Sequence, residues 1–142
     1  MIFLHFRKIQ KYKFWFTNEG NLRYHSYRIM VSRSHQGDVM KMAEKFKPPG
    51  VVTPAGGAGY KVWEVAAGHE DVYIHSSVIK KWDICAGAAI LNTLGGRLTD
   101  ADGKDIDFRK AWEYTHETGI IAAKYDQPGY VAAIKHLSSL KD

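Results

Sequence analysis

"KKWDICAGAAILNTLGG", residues 80–96, decides how this chain folds. Two lysines, an indole and a carboxylate stand ahead of a run of small and apolar residues that closes on Gly95 and Gly96. At helical spacing the run is apolar on nearly every side. It therefore predicts a helix buried at close range against a sheet, with a left-handed glycine cap at its end. Asp83 falls at the mouth of that helix, where backbone N–H groups orient a carboxylate and leave its outer oxygen free. Such an oxygen is a hard ligand of the kind Mg2+ takes together with water and substrate phosphate. Lys80 and Lys81 would favour an anionic substrate beside it. A plain N-cap explains the same aspartate with no chemistry, so the rest of the chain has to decide.

Outward from this helix the pattern alternates. "RIMVSR" (28–33) reads as a strand, "DVMKMAEKFK" (38–47) as a helix with Val39, Met42, Ala43 and Phe46 on one side, and "VVTP" (51–54) as a second strand. "YKVWEVAAG" (60–68) is a helix stopped by Gly68, and "DVYIHSS" (71–77) alternates as a strand. "RLTDADGKDIDF" (97–108) predicts two short strands about a turn, "GIIAAK" (119–124) a buried strand, and "PGYVAAIKHLSSL" (128–140) a closing helix with Pro128 in its first turn. Strands alternating with helices of about ten residues predict an α/β layered domain. Residues 1–27 have no clean period and read as an extension to a domain spanning 28–142.

The bulk numbers bound the function. At 142 residues the chain has the size of one domain. Its net charge of +5 is concentrated before Val31, where Arg7, Lys8, Lys11, Lys13, Arg23 and Arg28 face only Glu19. No run of cations interleaved with aromatics crosses the whole domain, which argues against a dedicated nucleic-acid binder. No apolar run reaches the roughly 18 residues a bilayer span needs. The single cysteine, Cys85, excludes an intrachain disulfide and reads as a small buried hydrophobe.

Two glycine-bearing turns are candidates for an anion. "PAGGAGYK" (54–61) puts glycines ahead of a helix, where backbone N–H groups approach a phosphate, and Lys61 lies in the first turn. Its spacing matches neither the P-loop nor the dinucleotide fingerprint, and a simple helix entry explains it as well. "SRSHQG" (32–37) follows a strand and precedes a helix, where His35 can meet a ligand phosphate or Ser34 and Asp38 can cap. The acids Asp100, Asp102, Asp105 and Asp107 fail the spacing of a calcium loop and read as a solvated turn around Asp102-Gly103. The seven histidines show no zinc spacing.

Taken together, "VSRSH", "PAGGAGYK" and "YIHSSVIKKWDICAGAAILNTLGG" resemble, in order and spacing, the C-terminal half of the inositol monophosphatase-like family of lithium-sensitive, magnesium-dependent phosphatases. Within it they are most similar to the bisphosphate nucleotidase branch, including its Golgi-resident members. The resemblance implies the C-terminal portion of the layered α/β sugar-phosphatase fold and hydrolysis of a phosphate monoester. The substrate it implies is adenosine 3′,5′-bisphosphate, with inositol phosphate as the alternative and a non-catalytic nucleotide-binding role as a third reading. It further implies that Asp83 is a Mg2+ ligand, and that Ser32, His35, Gly57 and Lys61 contact the nucleotide. The family's Asp-Pro-hydrophobic-Asp-Gly-Thr/Ser metal motif and its upstream Glu have no counterpart here. Little or no catalysis by this chain alone follows, with self-association through surfaces that half of a layered fold leaves open. The branch suggests the Golgi lumen as compartment, with the cytoplasm as alternative.

Overall fold

The computed structural model describes residues 14–16, 22–24, 26–34, 37–46, 49–110 and 112–139. The strands are β1 (Phe14–Phe16), β2 (Leu22–Tyr24), β3 (Arg28–Ser32), β4 (Val51–Ala55), β5 (Val72–His75), β6 (Ile79–Lys80), β7 (Arg97–Asp100), β8 (Thr115–His116) and β9 (Ile120–Ala123). The helices are α1 (Gly37–Lys45), α2 (Ala58–Ala67), α3 (Cys85–Thr93) and α4 (Gln127–Ser139), with a 3-10 turn at Lys81–Asp83. β1 and β2 form an antiparallel pair within the segment set apart as an extension, and residues 1–13 lie outside the described residues.

A five-stranded sheet in the order β4-β3-β5-β9-β7 organises the domain. Its central strands are buried on both faces, which is why they read as continuous apolar runs. Ile29, Val31, Val72, Ile74, Ile121 and Ala123 point to one face, where Val39, Ala43 and Phe46 of α1 and Tyr130, Val131 and Ile134 of α4 cover them. Met30, Tyr73, Ile120 and Ala122 point to the other, under Val62, Val65 and Ala66 of α2 and Ala88 and Leu91 of α3. The result is a helix–sheet–helix sandwich, the α/β layered class expected from the sequence.

Strand direction sets the site. β4 and β5 run parallel to β3, while β9 is antiparallel to both β5 and β7. β7 therefore runs with β3, β4 and β5, and the last residues of all four, Ser32, Ala55, His75 and Asp100, share one edge of the sheet. Ligand crevices of open α/β sheets form at that carboxyl edge.

Three local expectations change. Only the first of the two strands expected in residues 97–108 forms, Arg97–Asp100: Asp100 Oδ1 accepts hydrogen bonds from the N–H groups of Asp102 and Lys104, both at 2.8 Å. Gly103, at φ 85°, turns the chain, and among the described residues no strand follows before Thr115. Helix α3 is buried along one side only, through Gly87, Ala88 and Leu91, with its other side in solvent. Cys85 is exposed rather than buried, its Sγ 3.7 Å from the Trp82 carbonyl.

Candidate functional site

Ser32 ends β3 half-buried, with its Oγ 3.3 Å from Ser34 Oγ. His35 lies outside the described residues. On the neighbouring strand, β4 runs into Gly57 at φ 71°, a conformation that favours glycine. Gly57 precedes α2 and supplies no capping side chain, so the first N–H groups of that helix keep their capacity for an anion.

Lys61 turns inward. It shares the buried side of α2 with Val62, Val65 and Ala66, and only 2% of it is exposed. Its Nζ donates a 3.1 Å hydrogen bond to the Ala55 carbonyl and lies 5.0 Å from the centre of the Tyr73 ring. Burial lowers its pKa from the ordinary lysine value. An ammonium has three N–H donors, and one acceptor carbonyl leaves it under-satisfied. Among the described residues no carboxylate pairs with this ammonium beneath the glycine turn.

Asp83 does not cap α3. It occupies the 3-10 turn Lys81–Asp83, and the N-cap position belongs to Ile84, with no side-chain capping bond. The turn is fixed from far along the chain. Lys81 N–H donates to the Tyr114 carbonyl at 2.8 Å, and Lys81 Nζ to the Asp107 carbonyl at 2.7 Å. Trp82 stacks on Tyr114 with ring centres 5.1 Å apart and planes 22° from parallel. Lys80 Nζ lies 4.8 Å from the Tyr114 ring centre and donates to Thr115 Oγ1 at 2.9 Å. The turn also rests beside α2: a Cβ built on Gly59 would stand 3.8 Å from the Asp83 carbonyl. Asp83 itself is exposed.

Tyr73 links the two sides. It is fully buried on β5, its Oη has no hydrogen-bond partner among the described residues, and burial, with the charge of Asp83 second, raises its pKa. Sequence reading missed Tyr73, because a tyrosine in an alternating strand signals only core. Ser32, Gly57 and Lys61 thus gather around the ends of β3 and β4, and the Asp83 turn flanks them across α2.

Among the described residues no group of three or more His, Cys, Asp or Glu side chains gathers. The Asp100–Asp107 stretch is committed elsewhere: Asp102 pairs with Lys135, Asp105 with Arg97 and Asp107 with Arg109, at 3.1, 2.9 and 2.9 Å. A cavity of about 350 Å³ lies on the other side of the sheet, between α1 and α4, lined by Lys41, Met42, His75, Ile121 and Ile134 among others.

The model of the inositol monophosphatase family matches residues 14–139, beginning at Phe14 within β1. This chain belongs to the inositol monophosphatase family. Members of that family generally use divalent metal ions. The chain is 48% identical over 88 residues to the Golgi-resident adenosine 3′,5′-bisphosphate 3′-phosphatase of Homo sapiens, covering 57% of this chain and 24% of that protein. It is 45% identical over 102 residues to inositol monophosphatase 3 of Xenopus laevis, covering 67% and 28%. Among solved structures, an inositol monophosphatase of Thermotoga maritima aligns with a TM-score of 0.61 at 18% identity, over 89% of this chain and 52% of that one. CysQ of Bacteroides thetaiotaomicron, a bacterial family member, aligns with a TM-score of 0.56 at 28% identity, over 73% and 40%. The match thus spans about a quarter of these curated relatives and about half of the solved chains. The layered fold is that of the inositol monophosphatases.

Proposed function

We propose that this chain supplies the nucleotide-binding side and one Mg2+ ligand of a phosphate monoester hydrolase acting on adenosine 3′,5′-bisphosphate. The observation that carries this reading is the buried, under-satisfied ammonium of Lys61 beneath the uncapped Gly57 turn, a place where a phosphate would supply the missing charge. Identity to the Golgi-resident 3′-phosphatase over 88 residues points to the substrate and suggests a Golgi location. The likeness to inositol monophosphatase 3 favours inositol phosphate as the second reading.

Each residue has a part. The N–H groups that open α2 and the Lys61 ammonium hold a phosphate, with Ser32 at the neighbouring strand end and His35 beyond it on the nucleotide. Asp83 is a single metal ligand, and no cluster of three or more potential ligands gathers among the described residues. On its own the chain therefore hydrolyses little or nothing. Phosphate release in millimolar Mg2+ tests this, with adenosine 3′,5′-bisphosphate and inositol phosphate supplied separately. A rate at the buffer background is expected for both. A lithium-sensitive rate above background refutes the inactivity, and thermal protection by inositol phosphate but not by the nucleotide refutes the substrate.

A further inference from the structure

The Tyr73 hydroxyl is buried and has no hydrogen-bond partner among the described residues. The side chain is fully enclosed, in the cluster that holds Met30, Val62, Val65, Ile84 and Ala122. Phenylalanine would fill that place and orphan no polar atom. An orphaned buried hydroxyl costs stability, and native chains keep few of them without a use. The oxygen is therefore kept for a partner from outside the described residues.

Its surroundings give the chemistry of that partner. The Lys61 ammonium lies 5.0 Å from the ring centre, and the Ala55 carbonyl takes only one of its three N–H donors. The Asp83 turn lies beside α2 at Gly59, and the Asp83 charge acts on the hydroxyl, second to burial in raising its pKa. The phenol thus stands between the lysine and the Asp83 turn. A ligand oxygen that accepts a second N–H of Lys61 stands about 3 Å from Nζ, where the phenolic O–H of the adjoining ring can meet it. A phosphate ester has the charge and the several acceptor oxygens to take both donors. A neutral or cationic ligand would leave the ammonium uncompensated.

We propose that the Tyr73 hydroxyl donates a hydrogen bond to a phosphate ester held between the Lys61 ammonium and the Asp83 turn. Tyr73 is then a ligand-contact residue, and its ring face holds the lysine in place for the same ligand. The inference rests on the anion site proposed above at Lys61, and not on which phosphate ester fills it.

The test sets stability against affinity in Tyr73→Phe, which keeps the ring and removes only the hydroxyl. Adenosine 3′,5′-bisphosphate, inositol phosphate and inorganic phosphate are titrated separately into the chain in metal-free buffer, and each protein is melted without ligand. The expected result is a split. Without ligand, Tyr73→Phe melts no lower than the parent, because no partner is lost. It binds the ester about tenfold more weakly, as loss of a hydrogen bond to a charged group does. Tyr130→Phe, on the other face of the sheet, should bind as the parent does. Equal affinity in Tyr73→Phe overturns the proposal. So does a lower melting temperature of the ligand-free variant, which makes the hydroxyl a structural partner within the fold. Parent binding to inositol phosphate and not to the nucleotide refutes the substrate reading alone, and Tyr73 is then judged on inositol phosphate. A parent that binds none of the three refutes both.

Discussion

The Lys61 ammonium lies 5.0 Å from the centre of the buried Tyr73 ring, with the Ala55 carbonyl as its hydrogen-bond acceptor at 3.1 Å. The ring face and one carbonyl offset part of the loss of hydration, and burial still lowers the lysine's pKa. The charged form is therefore penalised on folding below the lowered pKa, and the penalty fades as pH rises toward the ordinary value of 10.5. Lys61→Met should stabilise the chain at pH 7 by about 1 kcal/mol, the low end for an incompletely paired buried polar group. The gain should shrink at alkaline pH in chemical denaturation. Adenosine bisphosphate should protect the parent chain against heat and leave Lys61→Met unprotected.

Glu70 gives a second pH signature. Burial is the main cause that raises its carboxyl pKa, with the charges of Asp71 and Glu64 adding to it, while Thr53 and Arg28 oppose. A carboxyl raised on folding holds its proton better in the folded chain. Its contribution is full below the unfolded value near 4.5 and is lost as pH rises through the folded value. Glu70→Gln should therefore raise the melting temperature at pH 7 and give no gain below pH 4.5. An equal gain at both pH values contradicts this.

Gly87 is where α3 meets α2. A Cβ there would stand 2.9 Å from both Cβ and Cγ1 of Val62, closer than side chains pack. Alanine gains about 1 kcal/mol of helix propensity over glycine. Overpacking at a tight contact costs about 1–3 kcal/mol. Gly87→Ala should lose about 1 kcal/mol net, and Val62→Ala in the same chain should restore part of the loss. Equilibrium urea unfolding measures both.

A buried polar pair ties α4 to the sheet. Gln127 Nε2 donates to Thr99 Oγ1 at 2.6 Å, and both residues are buried. Thr99→Val removes the acceptor and leaves only a 3.4 Å approach to the Ile121 carbonyl. The expected loss is about 1–2 kcal/mol, and adding Gln127→Met should cost much less than a second such loss.

Much of this was legible in the sequence because it is local. The period of residues 28–68 placed β3, α1, β4 and α2, and two glycine turns marked the carboxyl edge of the sheet. What escaped depends on contacts far along the chain. Asp83 looked like an N-cap, but the Tyr114 carbonyl and ring, about thirty residues away, hold Lys81 and Trp82 in a 3-10 turn and move the helix start to Cys85. The two-residue pairing of β6 with β8 is too short to leave a period. "KDIDF" had the alternation of a strand, yet Asp100 closes the turn with its own side chain and no neighbouring strand takes up the residues beyond it. Lys61 looked like a first-turn lysine placed to reach the same anion as the glycine turn. Its place beside Val65 on the buried side of α2 turned it toward Tyr73 instead.

We propose that Asp83 stands without companion ligands among the described residues, so that the chain alone holds no magnesium cluster. Titration calorimetry of Mg2+ into the purified chain, with Asp83→Asn as control, tests it most directly. The account predicts no saturable micromolar binding and matching heats for the two proteins. Two ions bound per chain at micromolar affinity, and lost in Asp83→Asn, would contradict it.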